Sequence, residues 1–75
     1  MTMADDYEKR IRKCFADAYN AHMRFRNARG EQFKQICAEY AELAKMDPFL
    51  SDLLNASYTE HGRDWEARKR AGEAV

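Results

Sequence analysis

The stretch Asp5–Arg29, DDYEKRIRKCFADAYNAHMRFRNAR, decides how the rest of the chain is read. At 3.6 residues per turn, Tyr7, Ile11, Cys14, Phe15, Ala18, His22 and Phe25 fall on one stripe, the pattern of an amphipathic helix. Asp5 with Glu8 three residues on has the form of a capping box, and acid there complements the positive end of the helix dipole. Gly30 follows, the residue type that most readily takes the left-handed turn after a helix. Beyond the two acids of the first turn, Asp5 and Asp6, the remaining faces are basic: Lys9, Arg10, Arg12, Lys13, Arg24, Arg26 and Arg29 stand against Glu8 and Asp17 in a chain whose formal net charge is zero.

A second row on the same helix, Arg12, Ala16, Tyr19, Met23 and Arg26, lies about a quarter-turn from the centre of the stripe. The plain reading of this row is packing at the core's edge. The sharper one is a contact surface, because Tyr, Met and Arg are the types enriched at interfaces. The row is the candidate partner-binding site.

Outward from this helix, residues 31–46 read as a second one, with Phe33, Ile36, Cys37, Tyr40, Leu43 and Ala44 as its stripe. It lacks a good cap, and the first stripe runs through Arg29 into Phe33 with little change of phase. The spacing predicts a helical hairpin broken at Gly30. The alternative is one long helix over 5–46 with a packed C-terminal helix, in a dimer, since an internal glycine costs only about 1 kcal/mol. Met46-Asp47-Pro48 is a firmer boundary: Asp47 suits a cap, Pro48 the first helical position, and the residue before proline avoids helical geometry. The third helix starts at Pro48 and carries Leu50, Leu53, Leu54, Ser57, Tyr58 and His61, then Trp65 if it continues. Gly62 is expected to interrupt it near residue 61, leaving the segment to about 71 as an extension or an irregular return. Glu73-Ala74-Val75 should fray.

The fold expected is all-α, a small helical bundle of hairpin plus third helix forming a single domain over 1–75. That length is near the lower size for one core. Leu, Ile, Val and Phe number only eleven among the 75 residues. So thin a core points to a homodimer or a bound partner. Charge is also divided by element, with six acids against two lysines between Glu31 and Glu60. A basic first helix beside acidic later ones either orients the bundle or pairs two copies head to tail, each exposed pair contributing little alone.

Several function classes are disfavoured. The acidic N-terminus has no apolar region of a signal peptide, and no run approaches membrane-spanning length. Two cysteines without secretory context read as free thiols in a reducing compartment, so a cytoplasmic protein is expected. Cys14, His22, Cys37 and His61 all fall on apolar stripes and invite a zinc reading. Cys14 and His22, however, lie about 12 Å apart along one helix, too far to share an ion with bonds near 2 Å. His22, Cys37 and His61 would share a height if the helices alternate in direction, but buried thiols and core-margin histidines are the plainer reading. Neither metal nor cofactor is expected.

Nothing supplies an oxyanion hole, an orienting third group or a phosphate-cradling glycine loop, so an enzyme is not expected. The second and third helices mimic a helix-turn-helix. The would-be recognition helix, however, opens Phe49-Leu50-Ser51-Asp52-Leu53-Leu54-Asn55, with an acid and no cation to reach bases or phosphates. The basic first helix tracking a backbone is the remaining nucleic-acid route. Membrane binding is disfavoured because the apolar side of that helix is needed for the core. The function expected is a non-enzymatic protein-binding module, a regulator, adaptor or inhibitor that docks on a partner protein through Arg12, Ala16, Tyr19, Met23 and Arg26. Small motif-free helical proteins, those of phage and mobile elements included, often have such roles.

Overall fold

The computed structural model describes residues 3–72. Over them the chain forms α1 (Met3–Asn27), α2 (Gln32–Ala44) and α3 (Pro48–Arg70), each packed against the other two. The result is a small all-α bundle.

The first helix begins before the expected cap at Asp5, because Met3 and Ala4 are good helix formers and nothing there breaks the run. Asp5 and Asp6 therefore lie within its first turn, where they still face the positive end of the dipole. Glu8 closes no capping box; it takes a bond from the Arg12 guanidinium one turn on, at 2.5 Å. The helix ends at Asn27, short of the expected Arg29. Gly30 has φ +58°, and the Gln32 and Phe33 N–H groups donate to the Arg29 and Gly30 carbonyls at 3.2 Å. The turn is a real break, so the single helix over 5–46 does not form.

The second helix is shorter than the 31–46 expected. Its N-cap position, Glu31, makes no side-chain cap bond, and Gln32 instead accepts from the Arg29 N–H at 2.9 Å. Lys45 and Met46 form a closing turn, donating to the carbonyls of Glu42 and Leu43. Asp47 then caps α3, accepting from the Phe49 N–H at 2.8 Å. Arg10 of α1 grips the same carboxylate with two bonds, at 2.7 and 3.0 Å. The guanidinium holds the Asp47 carboxyl well below the usual carboxylate range.

Gly62 does not end α3, which runs on to Arg70. A glycine inside a helix costs about 1 kcal/mol, and the neighbouring anchors at His61 and Asp64 offset it. The fraying expected of residues 73–75 lies outside the described residues.

The ion pairs reveal the arrangement. Arg10–Asp47 joins α1 to α3 near one end and Arg26–Asp64, at 3.2 Å, near the other, so these two helices run parallel. Arg24–Glu39, at 2.6 Å, ties the returning α2 to α1. The cations of α1 thus meet the acids of α2 and α3 within one chain, which is the orienting role of the charge division. Such pairs fix direction more than they add stability.

The core consists of Cys14, Ala21, Ala28, Ile36, Tyr40, Leu50 and Leu54, with Leu50 only 2% exposed. Along α1 and just past its end, the centre of the core follows Cys14, Ala21 and Ala28, small side chains at seven-residue spacing. Relative to the stripe drawn from the large residues, the buried face is therefore rotated. Tyr7 and Phe15 on α1, Phe33 on α2, and Tyr58 and Trp65 on α3 end up exposed. So does Cys37, expected inside: Ile36 and Tyr40 take the inner positions of α2 and Cys37 faces out.

Candidate partner-binding surface and the buried histidine joint

Four polar side chains, contributed by all three helices, meet inside the bundle. Ser57 Oγ lies 2.6 Å from His22 Nδ1 and 2.8 Å from the Tyr40 hydroxyl. That hydroxyl lies 3.0 Å from His61 Nε2. Each of these three contacts receives one proton when donation runs in a single direction, from His22 N–H through Ser57 and Tyr40 to His61, or wholly in reverse. The rings are layered as well: His61 stacks on His22 and on Phe25, each at 4.1 Å between centroids. Burial, and then the neighbouring His22, push the His61 pKa down to about 4. Burial raises the Tyr40 pKa, against the opposing effect of its bond to Ser57. A serine hydroxyl against an imidazole is the composition of a nucleophile and its base. Here Ser57 is 9% exposed and enclosed by three rings, and the geometry is that of a polar joint holding three helices in register.

The candidate row is divided by the fold. Arg12, Ala16 and Tyr19 stand on the outside, Tyr19 with 66% of its surface exposed. Met23 is half-buried, and Arg26 is half-buried and held by Asp64. One turn before Tyr19, Phe15 is 54% exposed and meets Phe49 of α3 edge to face at 5.5 Å. Phe15 thus extends the exposed part of the row into an aromatic seam along α1 and α3. Sequence reading missed it by assigning Phe15 to the core; the seven-residue spacing of Cys14, Ala21 and Ala28 was the available signal.

A cleft of about 370 Å³ opens where the Gly30 turn meets the second half of α3. Phe25, Phe33 and Trp65 form its apolar walls, and Arg26, Arg29 and Arg68 bring cations to it against Asp64. Phe25 and Phe33 meet edge to face at 5.6 Å.

The thiols part company. Cys14 is buried, and burial together with the nearby Asp47 carboxylate raises its pKa, whereas Cys37 is exposed. Among the described residues no group of three His, Cys, Asp or Glu side chains is placed to hold a metal ion, and His22, Cys37 and His61 do not form one. No described helix is long and apolar enough to cross a membrane.

These features define a three-helix all-α bundle with a polar joint at its centre and an aromatic seam outside. No family model, curated protein or solved structure matches the chain.

Proposed function

We propose that this chain is a non-enzymatic protein-binding module, a regulator, adaptor or inhibitor that docks on a partner protein through the outer face of α1. The observation that carries the reading is the exposed seam of Tyr19 and Phe15 on a helix five of whose cations have acids beside them. Large aromatic side chains give much contact area at small entropic cost, and anchors of this type dominate binding energy. Arg12 and Ala16 flank Tyr19 on the exposed part of the row, while Met23 is half-buried and Arg26 ties the far end to Asp64 of α3.

The charge arrangement disfavours the nucleic-acid alternative. A polyanion needs cations to neutralise its phosphates. On α1, Arg10, Arg12, Lys13, Arg24 and Arg26 pair with Asp47, Glu8, Asp17, Glu39 and Asp64. Capture from a lysate with and without nuclease, using the native chain and Tyr19→Ala as baits, tests both readings. A protein retained after nuclease by the native chain and lost with Tyr19→Ala is the expected result. Retention that vanishes with nuclease, or that ignores Tyr19, would refute it.

A further inference from the structure

The cleft beside the Gly30 turn is separate in composition from the α1 seam, apart from Arg26 at its edge. Its walls are aromatic, with Phe33 and Trp65 exposed from α2 and α3. Three arginines face it against the single carboxylate of Asp64, leaving an excess of two positive charges. Arg26 and Arg68 both lean on Asp64, at 3.2 and 3.8 Å. Arg29 is placed differently. Its Nη1 donates to the main-chain carbonyls of Ala28, at 2.7 Å, and Arg26, at 3.5 Å. No carboxylate pairs with it among the described residues. Those carbonyls fix the guanidinium at the cleft without neutralising it. A planar donor fork so held is suited to a carboxylate.

We propose that this cleft binds a small aromatic carboxylate, its ring against Phe33 and Trp65 and its acid group on Arg29. The volume of about 370 Å³ lies at the small end of the range of ligand clefts and suits a molecule of one or two rings. Aromatic walls with a few fixed polar groups are the general composition of such sites. The positive excess selects an anion over a neutral ring of the same shape. The Gly30 turn is part of the site, because its positive φ turns the chain so that Phe33 comes back against Phe25.

The test uses the intact chain and 1-naphthoate, with 1-naphthalenemethanol as the neutral counterpart and acetate as the anion without a ring. Trp65 is the only tryptophan, so its indole N–H signal in a proton–nitrogen NMR spectrum reports on the cleft. Naphthoate should shift that signal saturably, the alcohol should bind about 10-fold more weakly, and acetate should leave it in place at the same concentrations. Arg29→Gln and Phe33→Ala should each weaken naphthoate about 10-fold, and Lys13→Gln, at the far end of the bundle, should not. Equal affinity for acid and alcohol, no saturation, or native affinity in Arg29→Gln would overturn the proposal. The acid-against-alcohol comparison on the native chain decides the matter even if a variant folds poorly.

Discussion

Lowering the pH from 7 to 5 should destabilise the bundle through His61. The imidazole has an ordinary pKa of 6.5 and is held at about 4 in the fold. The groups facing it are His22 and Phe25 of α1, Tyr40 of α2 and Ser57 of α3, with Glu60 and Asp64 as the acids that oppose the shift. A base with a depressed pKa binds fewer protons folded than unfolded, so its contribution is complete above pH 6.5 and is lost as the pH falls toward 4. At pH 5 the loss is about 2 kcal/mol, approaching about 3 kcal/mol below pH 4. With 8% of its surface exposed, His61 has little solvent screening to reduce these values. Asp47 does not interfere, because its carboxyl stays ionised through this window: its contribution disappears only well below the ordinary carboxylate range. The assay is urea unfolding at pH 7, 6 and 5 for the native chain and His61→Gln, which cannot charge. The stability difference between the two should shift by about 2 kcal/mol between pH 7 and 5, in favour of the variant at low pH. A difference that stays constant across the range would refute the assignment of a neutral, buried His61.

Other outcomes follow from the same geometry. A thiol reagent should label Cys37 rapidly in the native state and Cys14 only on unfolding; equal rates would mean that α2 is rotated from its position here. Gly30→Ala should lower the urea midpoint by an amount equivalent to about 1 kcal/mol, because alanine is strained at φ +58°. An unchanged or raised midpoint would show that the turn relaxes. Self-association through the aromatic seam is expected as well. Light scattering after size exclusion should give a mass approaching twice the 8.8 kDa of one chain at high concentration. A mass fixed at 8.8 kDa at every concentration would end that expectation.

Legibility in the sequence followed the range of the forces involved. Asp47-Pro48 was readable because a cap and a proline act within a few residues, and Gly30 because left-handed geometry is intrinsic to glycine. The division of charge foretold the pairing of α1 with the acids of α2 and α3, though not which partners meet. The polar joint was not readable: His22, Tyr40, Ser57 and His61 come together only through tertiary packing. Cys37 and Phe15 were misplaced because hydrophobicity alone located the stripe. The innermost positions go to the small residues Cys14, Ala21 and Ala28, which leaves larger ones such as Tyr7 and Phe15 outside. Gly62 shows the converse, a local breaker overridden by its flanking anchors. For the candidate row, helix phase indicated that Tyr19 lies off the core; that Arg26 is half-buried against Asp64 depended on α3 running parallel to α1.

The most direct test of the docking surface is Tyr19→Ala, examined for melting and for binding to the captured protein partner on the same sample. A side chain with 66% of its surface exposed has little to lose on truncation. The melting temperature should therefore stay within about 2 °C of the native value. As an interface anchor it should cost about 2 kcal/mol of binding, near a 30-fold loss of affinity. A variant that binds as well as the native chain, or one that melts several degrees lower with its binding intact, would contradict the assignment of the α1 outer face.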